Sequence, residues 1–102
     1  MEIRFFEKSV EKFIKSLEKQ TIAKTIRTIE LLGVFGSEIR MPYSKKIDND
    51  IFELRIRGAQ EVRIIYTFHK KQIILLHGFV KKDRKIPRKE IERAKNIIKL
   101  LD

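Results

Sequence analysis

Between Val10 and Leu17 the apolar side chains Val10, Phe13, Ile14 and Leu17 are separated by lysines and glutamates. That spacing puts them on one face of an amphipathic helix. A second helical stripe, Ile22, Ile26, Ile29 and Leu32, follows "KQT", with Thr21 as the expected N-cap and Gly33 and Gly36 as the stop. Two helices joined by so short a link are expected to lie antiparallel as a hairpin. Ahead of them "IRFF" predicts a short opening strand, and "GSEIRMPYSKKIDND", rich in turn formers and without a sustained period, reads as a loop.

From Ile51 the period becomes two. Phe52, Leu54 and Ile56 share one side, and Glu53, Arg55 and Arg57 share the other. "GAQ" turns the chain into a strand with Val62, Ile64, Tyr66 and Phe68 on one face and Arg63, Ile65 and Thr67 on the opposite one; "HKK" turns it again. "QIILLHGFV" is apolar on both sides, as an inner strand covered on both faces would be. Parity places His77 with Ile73, Leu75 and Phe79. Pro87 fits the first turn of a last helix, whose Ile91, Ala94, Ile98 and Leu101 are expected on the sheet. The fold class is α+β: an N-terminal strand and helical hairpin on an antiparallel meander, then a C-terminal helix, all in one domain spanning 1–102.

Charge sharpens this picture. The 102 residues carry 24 lysines and arginines against 14 acids, a formal charge of +10, which attracts polyanions and makes nucleic acid the leading partner class. No basic helix has the broad aromatic face of an interfacial anchor, and no apolar run is long enough for a signal peptide or a membrane span, so the cytoplasm is expected. Cysteine is absent, excluding disulfides and thiolate chemistry, and two histidines make a histidine-rich metal site a poor candidate; no cofactor is implied.

The positive charge collects in two places. Arg55 and Arg57 project together from one strand, and a tight turn would bring Arg63 near Arg57, at a cost in free energy unless an anion, Glu53 or Glu61 offsets them. "KKDRK" (Lys81, Lys82, Arg84, Lys85) leaves the end of the last strand and is placed to border the same concavity. Arginines on a strand and a basic loop are also what an ordinary solvated surface shows. His77 is a candidate acid or base by its ordinary pKa, though a histidine among apolar neighbours more often serves packing. Phe79 is a core residue by pattern and a stacking platform for a base if it borders the groove. Tyr66 reads as core with its hydroxyl at the sheet's end.

"IFELRIRGAQEVRIIYTF" followed by "IILLHGFVKKDRKIPRKEIERAKNII" resembles the RelE/ParE toxin superfamily, within it the HigB-like, phage-derived branch. "ELR", "RIIY" and "HGFVKK" in that order carry the resemblance, and the preceding "LLGVFGSEIRMPYSKKI" extends it over nearly the whole chain. It implies two N-terminal helices against an antiparallel sheet with a C-terminal helix. It also implies a toxin of a toxin-antitoxin pair that enters the ribosome and cuts mRNA. Arg63 of "VRIIY" matches the basic residue that contacts the scissile phosphate in RelE-like enzymes, while Arg55, Arg57, Lys81, Lys82 and Arg84 fall in the family's basic segments. Ile86 and Pro87 stand where RelE itself has a tyrosine. The implied partner is an antitoxin, acidic or of helix-turn-helix type.

Metal-free RNA cleavage needs the 2′-hydroxyl to attack the adjacent phosphate, and a guanidinium fork suits the phosphate as charge builds on it. Proton transfer falls to Lys81 or Lys82, which like charges crowd, or to His77. The expected catalytic set is thus Arg63, Lys82, Arg84 and His77, with Arg55, Arg57, Lys81, Lys85 and Phe79 binding substrate. The alternatives are a ParE-like poison of DNA gyrase and an RNA-binding relative without activity.

Overall fold

The computed structural model describes residues 1–101. Along the chain run β1 (Glu2–Phe5), α1 (Lys8–Lys15), α2 (Lys19–Phe35), a 3-10 turn (Gly36–Glu38), β2 (Ser44–Asp48), β3 (Ile51–Ile56), β4 (Val62–His69), β5 (Gln72–Val80) and α3 (Arg88–Ile98). The strands form one five-stranded sheet in the order β1-β5-β4-β3-β2. β1 pairs parallel with β5, and every other pair is antiparallel.

Helices cover both faces, which is why β4 and β5 are apolar on both sides. On one face α1, α2 and the link between them bring Val10, Ile14, Leu17 and Leu32 onto Leu54, Ile56, Val62, Ile64, Tyr66, Ile73 and Leu75. On the other, Ala94 and Ile97 of α3 meet Ile51, Ile65, Ile74 and Leu76. Each large aliphatic side chain fully buried here contributes roughly 1.5–3 kcal/mol. The period-two pattern of β3 and β4 therefore sorts cleanly: Leu54, Ile56, Ile64 and Tyr66 face α1 and α2, and Glu53, Arg55, Arg63 and Ile65 lie on the α3 side.

Four local expectations are corrected. Ser44–Asp48, read as loop, is an edge strand paired with β3. Adjacent Lys45 and Lys46 conceal any alternation there, and an irregularity between Lys46 and Asp48 displaces the register. Lysines on an edge strand also discourage unwanted pairing. The second helix begins at Lys19 with Glu18 as its N-cap, not at Thr21, and its buried stripe is Thr21, Thr25, Thr28 and Leu32, while Ile26 stays 49 % exposed.

The third correction concerns His77. The β4–β5 register slips between Ile65 and Tyr66, so Ile65 faces His77 while Tyr66 faces Leu75. This bulge moves His77 off the face of Ile73 and Leu75 and onto the α3 face, together with Phe79. Fourth, the residue paired across the strands with Arg63 is Arg55, and Arg57 lies beyond the end of β3.

Candidate nucleic-acid interface

The pairing register lines up Arg55, Arg63 and Phe79 in one row across β3, β4 and β5, and Glu53, Ile65 and His77 in the next. Two arginines directly opposite each other repel, and the sheet resolves the repulsion with a carboxylate from the neighbouring row. Glu53 Oε1 lies 3.3 Å from Arg55 Nε and 3.5 Å from Arg63 Nε. Arg63 is only 2 % exposed. A guanidinium does not lose its proton, so this buried cation must be paired. Its Nη2 donates to Glu61 Oε1 at 3.2 Å and its Nη1 donates to the Val62 carbonyl at 2.9 Å.

Glu61 ties together the far end of the hairpin. Its Oε1 also lies 3.6 Å from Arg57 Nε, and its Oε2 accepts a 3.3 Å hydrogen bond from the Gly58 N–H. Burial alone would raise the Glu61 carboxyl. The hydrogen bonds from Arg63 and Gly58, with the charges of Arg63 and Arg57, hold it below the usual carboxylate range. The Lys81 N–H donates to the Glu61 carbonyl at 2.7 Å, carrying the β4–β5 ladder one step past β5 and fixing where the "KKDRK" segment starts.

The two basic segments consequently line one groove with two lobes. One lobe, about 390 Å³, is bounded by Arg55, Arg57, Arg63, Lys81, Lys82 and Arg84, with Glu61 and Asp83. The other, about 360 Å³, is shared with Arg55, Lys81 and Arg84 and adds Lys45, Lys46, Lys85 and Glu53 over an apolar floor of Ile47, Ile86 and Ile91. Seven of the expected site residues are thus brought together: Arg55, Arg57, Arg63, Lys81, Lys82, Arg84 and Lys85.

His77 and Phe79 are not among the groove's lining residues. His77 is 2 % exposed, its Nε2 lies 3.6 Å from Glu90 Oε1 of α3, and neither ring nitrogen has a hydrogen-bond partner. Burial, aided by the charge of Arg93, lowers its pKa from 6.5 to about 4, so the ring is neutral at pH 7. Phe79 stacks on it at a centroid separation of 6.0 Å and packs into the α3 core. Tyr66 is buried with its hydroxyl hydrogen-bonded to Ser44 on the edge strand, and burial pushes the phenol up from 10.0. Lys45 and Lys46 were hidden from the sequence because β2 was; once β2 is paired, Lys45 stands opposite Glu53. Among the described residues no group of three His, Cys, Asp or Glu side chains is placed to hold a metal ion, and no helix is long and apolar enough to cross a membrane.

The model of the family described as "Phage derived protein Gp49-like (DUF891)" matches residues 12–99. Comparison with curated proteins gives no match. Among solved structures, the archaeal RelE-RelB complex from Pyrococcus horikoshii OT3 contains a chain 21% identical, with a TM-score of 0.59, covering 82% of this chain and 97% of that one. The YoeB-YefM complex from Staphylococcus aureus contains one that is 18% identical, with a TM-score of 0.57, covering 81% of this chain and 97% of that one. At these identities the likeness is one of fold.

Proposed function

This chain belongs to the phage-derived Gp49-like family and has the RelE-like fold; from that footing we propose that it is the toxin of a toxin-antitoxin pair, a ribosome-dependent mRNA endoribonuclease of the HigB-like branch. One observation carries the nuclease reading: side chains from β3, β4 and the segment after β5, far apart in sequence, line two adjoining basic lobes that share Arg55, Lys81 and Arg84. The charged lobe suits a phosphodiester, and the lobe floored by Ile47, Ile86 and Ile91 suits the adjoining sugar and base.

In this reading the 2′-hydroxyl attacks its own 3′-phosphate, leaving a cyclic phosphate and releasing the 5′-oxygen of the next nucleotide. Arg55, Lys81 and Arg84, which border both lobes, neutralise the charge that builds on the phosphate. His77 is shut beneath α3, so proton transfer is assigned to Lys82 or Lys81. The remaining acceleration comes from holding the message in line for attack, a task shared with the ribosome, and naked RNA is therefore a poor substrate. The partners are the ribosome with its mRNA in the cytoplasm and an antitoxin. The solved structures of like fold are complexes, YoeB-YefM, described as toxin-antitoxin, and RelE-RelB, which supports a protein partner.

The test is to map RNA 5′ ends in a translating extract. The wild-type protein is expected to generate new ends within translated message, and Arg55→Ala to lose at least about tenfold of that cleavage, the equivalent of one charge-assisted contact in the transition state. No cleavage by wild type, coupled with inhibition in a gyrase supercoiling assay, would replace the nuclease by a gyrase poison.

A further inference from the structure

The charged lobe already holds an anion of the protein's own. Glu61 Oε1 stands 3.2 Å from Arg63 Nη2 and 3.6 Å from Arg57 Nε, bridging two arginines as a phosphate oxygen would. We propose that Glu61 is a built-in competitor for the RNA phosphate: it fills an anion subsite between Arg57 and Arg63, and substrate must displace it. This rests on the reading of the groove as a phosphate site and says how that site is regulated.

Three features support displacement. The first is that Arg63 is 2 % exposed and each of its nitrogens has a protein oxygen nearby: Glu53 Oε1 lies 3.5 Å from Nε, the Val62 carbonyl accepts from Nη1 and Glu61 Oε1 accepts from Nη2. With the guanidinium this buried, a phosphate reaches it from the side of Glu61 only if that carboxylate yields. The second is a contrast between the two carboxylates. The Glu53 side chain is 4 % exposed and lies within β3, whereas that of Glu61 is 36 % exposed and sits in the β3–β4 connection. Glu61 is the one able to swing into water. The third is chemical: exchanging a carboxylate for a phosphodiester leaves the pairing of Arg63 intact, so the buried cation is never stranded. A lone inorganic anion gains little from that exchange, while an RNA strand adds contacts to Arg55, Lys81 and Arg84 in the same lobe. The subsite thus favours polymeric over free phosphate.

The test measures binding of a short single-stranded 2′-O-methyl RNA, which cannot be cut, to the full-length wild type, Glu61→Gln, Glu61→Ala and Asp83→Asn. Asp83 lines the same lobe and, among the described residues, forms no ion pair. Its neutralisation therefore controls for the bare change in charge. Both Glu61 variants are expected to bind about tenfold tighter than wild type, the worth of one charge-assisted hydrogen bond no longer in competition, and Asp83→Asn less than about twofold tighter by screened charge alone. Equal gains for Glu61→Gln and Asp83→Asn overturn the competitor role while leaving the groove as the RNA site. An Arg55→Ala variant that binds as tightly as wild type removes RNA from the groove, and both readings fall. Should the variants unfold, the wild type still decides: saturating RNA must move the carboxyl resonance of Glu61 and raise its pKa, and a titration unchanged by RNA overturns the proposal.

Discussion

Gly78 shows how one residue fixes the candidate site's background. A Cβ built there would lie 2.7 Å from two ring carbons of Phe13, closer than packed atoms tolerate. The glycine of "HGFVKK" is thus a seat for α1 on β5, next to the bulge that turns His77 toward α3. Gly78→Ala is expected to lower unfolding stability by about 1–3 kcal/mol, and Phe13→Leu in the same chain to recover part of the loss; denaturant melts of both variants check this. His77 makes a second residue-scale prediction. Its folded pKa of about 4 lies below the ordinary 6.5. Between those values the unfolded chain takes up a proton that the folded chain refuses, so stability falls as pH drops through that window and is fully present above it. Glu90 and Arg93 of α3 are the charged groups facing the ring. His77→Leu is expected to match wild type near pH 7 and to lose less stability on acidification to about pH 5, as measured by urea melts at both. Arg55, Arg57, Arg63 and the basic loop were legible as neighbours because adjacent strands carry them, but the register that sets Arg55 rather than Arg57 opposite Arg63 was not. The orientation of His77 was not, because counting parity fails wherever a bulge inserts a residue.

Among elements, the alternation of β3 and β4 could be read directly, the α3 stripe except for Ile97 and the α2 stripe in part, whereas β2 could not. In α2 the threonines hold the sheet-facing positions, with the isoleucines one residue further round. Threonine's methyl lets it pack while its hydroxyl bonds within the helix, as Thr28 does to the Lys24 carbonyl at 2.8 Å. A stripe drawn through the isoleucines is therefore rotated by one position: Ile22 and Ile29 still pack at the edge of the core, but Ile26 is exposed. In β2 consecutive lysines mask a strand whose evidence lies in its partner. The β4–β5 connection offers the test at this scale. Lys70 and Lys71 both have positive φ, 49° and 64°, in a two-residue turn between paired His69 and Gln72. Such a turn favours Asn-Gly, and lysine is strained in it. The double change Lys70→Asn, Lys71→Gly is expected to raise stability by about 1 kcal/mol, with the thermal midpoint as the check and no loss of cleavage, since neither residue lines the groove.

At the scale of the whole molecule, helices on both faces stabilise the sheet, and no residue of α3 lines the charged lobe beside Arg55, Arg57 and Arg63. The charge of +10 draws a polyanion toward the protein from any side. At that lobe cations from β3, β4 and the segment after β5 line one concavity, and of the two carboxylates paired with them Glu61 is the one proposed to yield to a phosphate. The central claim is therefore one of convergence: Arg55 on β3 and Arg84 after β5 act on the same phosphate. Cleavage in a translating extract, measured for wild type, Arg55→Ala, Arg84→Ala and the double variant, tests it most directly. One shared site predicts that the double variant loses clearly less than the sum of the two single losses, with coupling of at least about 1 kcal/mol. Losses that simply add, or single variants that cut as well as wild type, would contradict it.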